Sequence, residues 1–281
     1  MKILSFQSAV AYGHVGNSAA VFPLQRMGFD VWPVDTVQFS NHPGYGSFRG
    51  KILTPEHVRE IVHGLDEAGA LETCDAVLSG YLGDADTGEA ALLAVAQVKA
   101  IHPGAPYLCD PVMGDVDTGV YVRPGVPEFI AAQAIPAADI VTPNRFELGL
   151  LTGLPTAGLK DCAAAARALL TRGPRVVVVT SVEEPGTIAC LVVTHEGAWA
   201  VRTPKLPMRP AANGAGDALA AMILAHILRG QAAPEAVSMA VSSLFGVLET
   251  TIRLHRRELA LVAAQDEIAA PTRLFPPLPL D

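Results

Sequence analysis

Short apolar, β-branched runs alternate with stretches of helical period along most of this chain. Ile3–Ser8 reads as a strand, Asn17–Met27 as a helix and Asp30–Val37 as a second strand. Pro55–Glu67 reads as a helix, with Thr54 placed to cap it and Pro55 at its first position. Ala76–Ser79, Tyr107–Asp110 and Asp139–Thr142 are strand-like. Asp86–Ile101 and Lys160–Thr171 are helix-like, closed by Pro103–Gly104 and Gly173–Pro174. Arg175–Thr180 (RVVVVT) is continuously apolar between its ends, as a parallel strand covered on both faces should be. Thr187–Thr194 and Ala198–Arg202, joined across Glu196–Gly197, predict a hairpin at one sheet edge. From Ala218 the chain reads as helical, with a stop at Gly230 and a restart at Pro234.

This alternation predicts an α/β fold: a mostly parallel sheet with helices on both faces. Neither a linker nor an internal repeat divides the chain, so residues 1–281 read as one domain. Two segments break the pattern. Residues 38–51 (QFSNHPGYGSFRGK) are Gly-rich and aromatic without an apolar period, the mark of a functional flap or of a plain surface loop. Pro271–Asp281 is Pro-rich and reads as irregular.

Composition narrows the options. Half of the 281 residues are hydrophobic, which excludes extended disorder. The net charge of −8, with no Lys/Arg run, argues against a nucleic-acid surface. No apolar run approaches the ~18 residues of a membrane span. The opening MKILSFQSAVAYG is interrupted by Ser5, Gln7 and Ser8, so it reads as a strand rather than a signal peptide. Cys74, Cys109, Cys162 and Cys190 form no CxxC pair and read as reduced thiols of a cytoplasmic protein, Cys109 and Cys190 as core filler.

In an open parallel sheet, ligands gather beyond the carboxyl ends of the strands. The segments that follow the predicted strands are polar: Gln7–Ser8, Ser79–Gly83, Asp110–Asp115, Thr142–Asn144 with Glu147, and Thr180–Ser181. The sharpest local signal is Asn213-Gly214-Ala215-Gly216-Asp217, which opens the helix Ala218–Leu228. Small residues at a helix N-terminus leave N–H groups free for an anion, and a carboxylate beside them can take a proton from a substrate hydroxyl. The same residues also suit an ordinary turn with Asp217 as N-cap.

Asp110, Asp115 and Glu147 are the acidic candidates for holding Mg²⁺ together with water and phosphate oxygens. Taken singly, Asp110 also suits a Pro turn and Asp115 a solvated loop. The eight histidines show no zinc spacing. Gly50–Lys51 imitates a Walker A loop only at its end, and Leu219 occupies the third-Gly position of a dinucleotide fingerprint.

Six segments together carry a family resemblance: Phe6–His42 (with GHVGN and FSNH), Leu78–Gly83 (LSGYLG), Cys109–Asp115 (CDPVMGD), Thr142–Glu147 (TPNRFE), Val177–Ser181 (VVVTS) and Asn213–Asp217 (NGAGD). The chain resembles pyridoxal (pyridoxamine) kinases of the ribokinase-like superfamily, nearly end to end. The resemblance implies a three-layer αβα sandwich and ATP-dependent phosphorylation of the hydroxymethyl group of pyridoxal or a close relative. It implies Asp217 as the base and Gly214, Ala215 and Gly216 as the anion hole. Asp110, Asp115 and Glu147 would hold Mg²⁺ directly or through water. Asp110, Thr142, Asn144, Glu147, Thr180, Arg209 and Asn213 would serve ATP. Ser8, Val15, His42, Pro43, Tyr81 and Tyr121, with Asp217, would surround the substrate. A homodimer activated by a monovalent cation such as K⁺ is the further implication. Pro43 departs from the family, which usually carries Thr there, so a hydroxyl is missing from the flap.

Two other readings compete. A hydroxymethylpyrimidine kinase shares DPVM and GAGD-like pieces, but its first strand usually exits through a Gly-rich turn rather than Gln7–Ser8. A non-catalytic pyridoxal carrier on the same fold would have no use for Asp217, Asp110 and Glu147 together.

Overall fold

The computed structural model of the chain describes residues 1–208 and 212–280. Its elements run, in chain order, β1 (Lys2–Tyr12), α1 (Asn17–Arg26), β2 (Asp30–Asn41), β3 (Gly50–Ile52), α2 (Pro55–Glu67), β4 (Ala76–Ser79), α3 (Ala85–Ile101), β5 (Tyr107–Cys109), β6 (Gly114–Asp115) and β7 (Gly119–Val120). Then follow α4 (Val126–Phe129), a π turn (Ile130–Ala134), α5 (Ile135–Ala137), β8 (Ile140–Val141), α6 (Arg145–Thr152), α7 (Leu159–Leu170), β9 (Val176–Glu184), β10 (Thr187–Thr194) and β11 (Ala198–Pro204). The chain ends with α8 (Ala215–Leu228), α9 (Ala233–Arg253), α10 (Gln265–Ala269) and β12 (Pro277–Pro279).

Ten strands form one sheet in the order β12-β11-β10-β9-β8-β5-β4-β1-β2-β3. The interior pairs from β2 to β9 are parallel, and antiparallel strands border them on both sides. Period-2 alternation divides the side chains between two cores. Leu4, Phe6, Val77, Val177, Val179, Leu191 and Val193 pack on one face, against α2, α3 and α7. Ile3, Leu78, Val178 and Val192 pack on the other, against α1, α8 and α9. RVVVVT is thus apolar throughout because neither of its faces meets water. The three-layer expectation holds, and all four cysteines are free and buried.

Local chemistry starts the helices where the sequence announces it. The Thr54 hydroxyl accepts the His57 N–H at 3.3 Å, with Pro55 at the first turn. Asp84 accepts the Thr87 N–H at 2.8 Å ahead of α3. Inside α3, Gly88 has no room for a side chain, because a Cβ there would lie 2.3 Å from a Phe129 ring carbon. Gly88→Ala is therefore expected to lower unfolding free energy by about 1–3 kcal/mol through overpacking, measured as a fall in the urea midpoint at unchanged m-value.

Several boundaries differ from the sequence expectation. Residues 38–51 are not an irregular insertion: Gln38–Asn41 continues β2, and β3 returns antiparallel to it, so the flap is the end of an edge hairpin. The Pro-rich tail is not wholly irregular either. Pro277–Pro279 pairs with β11 as the outermost strand, where lost N–H donors matter least. β9 runs on past Thr180 to Glu184 and turns into β10, and Ser181 takes a left-handed φ of 59° within it. The α9 helix is long and apolar enough to cross a membrane by length and composition, with Ser and Gly interrupting its apolar run. It lies mostly inside the fold, burying Ala236, Val237, Ala240 and Val241.

The order of β2, β1 and β4 sets the site. From β1 the chain moves through α1 to β2 on one side, then crosses back to β4 on the other. This reversal opens a crevice beyond the carboxyl ends of β1 and β4, the usual ligand position in such sheets.

Candidate active site

β1 delivers Ser8 through an irregularity. Its register with β2 shifts between Gln7 and Ala9, a bulge that re-aims a side chain next to a site. Behind the bulge lies a buried polar network. The Ser5 hydroxyl donates to Asn17 Oδ1 at 2.8 Å, Gln7 Nε2 donates to the Ser5 hydroxyl at 3.1 Å, and Asn17 Nδ2 donates to Asp35 at 2.9 Å. Gly16, at φ 53°, lets the turn before α1 press against Ser8; a Cβ there would lie 2.1 Å from the Ser8 carbonyl oxygen. Ser8 and Val15 are both buried at this point.

The helix α8 points its N-terminus at the same turn. It begins at Ala215, earlier than Ala218, with Gly214 as N-cap in a left-handed conformation and no side-chain cap. Asp217 therefore sits in the first turn and is not the N-cap. Its carboxylate accepts the Gly16 N–H and its own backbone N–H. Shielding from water raises its pKa above the ordinary aspartate range, and those two N–H groups pull it partly back. Gly214 packs so closely on the β1–α1 turn that a Cβ would stand 1.8 Å from the His14 carbonyl oxygen. The first turn of α8, without a side-chain cap, leaves N–H groups that suit an anion.

The acidic strand tips lie near this helix start, with Asp110 within range of the charges of Glu147 and Asp217. Asp110, beyond β5, accepts the Thr142 hydroxyl at 2.9 Å. Its pKa lies well above the carboxylate range, first through burial and then through the charges of Glu147 and Asp217. Asp110, Glu147 and Asp217 thus share one cleft. Glu147 is oriented by a capping box: the Asn144 side chain accepts the Glu147 N–H at 2.9 Å, and Glu147 accepts the Asn144 N–H at 2.8 Å. Its other oxygen takes the Met113 N–H at 2.9 Å, while Asn144 Nδ2 donates to the Gly114 carbonyl at 2.8 Å. Burial raises the Glu147 pKa, opposed by these N–H groups. Thr180 joins the group by a parallel bridge to Asn144, donating its N–H to the Pro143 carbonyl at 3.0 Å.

A direct three-carboxylate metal cage is not formed. Among the described residues, no three His, Cys, Asp or Glu side chains converge for it. Asp115 is exposed on β6, where its carboxylate accepts the Asp117 N–H, the solvated-loop role. Both Glu147 oxygens are taken by backbone N–H groups. An oxygen-only cluster with excess buried negative charge nonetheless suits a hard cation that keeps part of its water shell.

Around the substrate end, Tyr81 follows β4, half-buried, and its carbonyl accepts the Thr36 hydroxyl at 2.6 Å. Tyr121 is exposed as a residue, but its phenol is shielded and lies within range of the charges of Glu147, Asp110, Asp217 and Asp115, which together push its pKa up. His42 is half-buried at the flap tip and accepts the Gly44 N–H at Nδ1 over 3.1 Å, which leaves the ring proton on Nε2. Pro43 is exposed. Asn213 lies beside the Tyr45 hydroxyl of the flap. Arg209, expected at ATP, lies outside the described residues. Sequence reasoning missed Gly16 as a partner of Asp217, the network behind Ser8, and Tyr45. The only sequence signal for the first two was the GHVGN string, whose polar residues fit no propensity.

Comparison with known proteins agrees with this geometry. A family model described as phosphomethylpyrimidine kinase matches residues 57–260. It leaves out β1, α1 and the flap, the part that carries Ser8, Val15 and His42. A pyridoxal kinase of Deinococcus radiodurans is 53% identical over 98% of this chain and 95% of its own. One of Rubrobacter xylanophilus is 52% identical over 98% and 96%. The solved pyridoxal kinase of Leishmania donovani in complex with ADP and pyridoxamine superposes with a TM-score of 0.93 at 30% identity, covering 100% of this chain and 99% of that one. With half of the residues identical over nearly the whole length of both chains, the chain belongs to the pyridoxal kinase family.

Proposed function

We propose that this chain transfers the γ-phosphate of ATP to the 5′-hydroxymethyl group of pyridoxal, giving pyridoxal 5′-phosphate and ADP. The observation that carries the reading is the approach of Asp217 to the strand tips: its charge bears on Asp110, and it lies at the start of α8 beside Gly16.

Asp217 takes the proton of the substrate hydroxyl, and its raised proton affinity suits that task. The freed oxygen forms the new O–P bond while the bond from the γ-phosphorus to the bridging oxygen of ADP breaks. The N–H groups of the Gly214–Gly216 turn stabilise the charge on the transferred group. Ser8, Val15, Tyr81 and His42 hold the pyridine ring, and Thr142, Asn144, Thr180 and Asn213 face the nucleotide. Asp110 would ligate Mg²⁺, with Glu147 and Asp115 acting through its water shell. Bound there, Mg²⁺ supplies neutralisation of the phosphate oxygens. Pro43 offers no hydroxyl, so hydrogen bonding from the flap falls to His42. A homodimer, checked by light scattering, and stimulation by K⁺ over Na⁺ complete the reading.

ADP release from purified protein with ATP and Mg²⁺ tests it, using pyridoxal, pyridoxamine, pyridoxine and hydroxymethylpyrimidine in parallel. Release is expected with pyridoxal. Release with hydroxymethylpyrimidine alone would move the chain to the pyrimidine kinases. Chelation by EDTA is expected to abolish turnover, and excess Mg²⁺ to restore it; full activity in EDTA would remove the metal from the mechanism.

A further inference from the structure

Among the described residues, the flap tip is hydrogen-bonded to the rest of the molecule through one side chain. Residues 43–49 hydrogen-bond mainly within their own hairpin: Asn41 Nδ2 donates to the Ser47 carbonyl at 2.8 Å, and the Arg49 N–H to the Ser40 hydroxyl at 2.9 Å. Tyr45 hydrogen-bonds this tip to the body of the protein. Its hydroxyl donates to Glu258 Oε1, and the Arg257 guanidinium lies 3.5 Å from the centre of its ring. A cation over an aromatic face adds attraction to the hydrogen bond. Tyr45 also makes edge contacts with His42 and Tyr12, with ring centres 5.9 Å and 6.4 Å away.

Glu258 is seated for this contact. It follows α9, far from the flap in sequence, and its other oxygen accepts the His14 N–H at 3.2 Å. Gly13, at φ 99°, leaves the space: a Cβ there would lie 2.3 Å from that same oxygen. One carboxylate thus ties the flap to the β1–α1 turn, whose next residues are Val15 and Gly16, the latter bonded to Asp217.

We propose that Glu258 is a positioning residue of this kinase: with Arg257 it latches Tyr45 and holds the flap, with His42, closed over the pyridine ring of the substrate. The inference rests on the pyridoxal kinase reading. Entry of the substrate requires the Tyr45–Glu258 bond to break, and closure reforms it. The latch takes no part in the transfer itself, although the Tyr45 hydroxyl also lies beside Asn213 on the nucleotide side, so its loss acts on substrate capture rather than on transfer.

Tyr45→Phe and Glu258→Gln, alone and combined, test this in steady-state kinetics. Each single variant is expected to raise KM for pyridoxal about 10-fold, the effect of one charge-assisted hydrogen bond, with kcat within about 3-fold and a smaller change in KM for ATP than in KM for pyridoxal. Tyr45→Phe removes the donor and Glu258→Gln the charge of the same bond, so the double variant is expected to be no worse than the more affected single one. Multiplicative effects, or an equal fall in kcat, would overturn the latch. A readout independent of turnover is tryptic cleavage after Arg49 or Lys51, followed by mass spectrometry. Pyridoxal should slow it in the parent protein and much less in Glu258→Gln; equal protection in both contradicts the proposal. Should Glu258→Gln fold poorly, Arg257→Ala, at an exposed position, should give the same KM shift in smaller measure, and an unchanged KM there would count against the latch. Absence of turnover by the parent protein would count against the kinase reading instead, and the proteolysis would still judge the latch.

Discussion

Asp217→Asn is expected to lower kcat by about 10²–10⁴ while leaving the affinity for ATP near that of the parent protein. The carboxamide keeps the shape of the side chain and can still accept the Gly16 N–H, so the nest and the turn should persist. What it loses is the ability to take a proton. The site is built to make that loss decisive. Desolvation raises the proton affinity of Asp217, and the facing Asp110 lies within reach of its charge. Isothermal titration with ATP and Mg²⁺, set against turnover, separates the two effects. Near-parental turnover would take Asp217 out of the chemistry.

Gly214→Ala should have the second largest effect, for a geometric reason. Gly214 holds φ at 82°, and a Cβ would fall 1.8 Å from the His14 carbonyl oxygen, so the start of α8 or the β1–α1 turn must move. The left-handed conformation alone costs about 1–2 kcal/mol for a residue with a Cβ. The displacement shifts the nest N–H groups relative to Asp217 and Gly16, and misplacement of about 1 Å can cost ~10² in rate. We expect kcat/KM for pyridoxal to fall at least about 10²-fold, with a measurable drop in Tm. A folded variant with parental kcat/KM would show that the transferred phosphate does not depend on this turn.

The parts of this molecule legible in its sequence are those where local chemistry and burial agree. RVVVVT announces a strand covered on both faces, and Val177, Val178 and Val179 are fully buried between two cores. Thr54–Pro55 announces a helix start, and the start is there. The polar strand exits do converge, because parallel strands place all their carboxyl ends along one edge. Illegible features depend on contacts distant in sequence. Nothing local to Ser8 predicts the bulge that aims it; the bulge is set by pairing with β2 and by Asn17 wedged behind. Residues 38–51 have no apolar period because the hairpin is exposed on both faces, so β pairing leaves no trace in the pattern. The short helix α6 escaped notice because its start, Asn144–Glu147, reads as a loop of ligands, whereas those residues are the capping box itself. Asp115 is acidic and close to Asp110 in sequence, yet it is exposed in the small β6–β7 hairpin, so any part it takes at a metal is through water.

The family resemblance and the physical reading meet at one spatial relation, a hydroxyl held between Asp217 and a phosphate seated on the Gly214–Gly216 turn. A crystal structure of the protein with a non-hydrolysable ATP analogue, Mg²⁺ and pyridoxal measures it directly. The 5′-oxygen is predicted within about 3 Å of an Asp217 carboxylate oxygen, with the terminal phosphate on the N–H groups of that turn. Pyridoxal bound with its hydroxymethyl group turned away from Asp217, or a phosphate chain that bypasses the turn, would contradict the account.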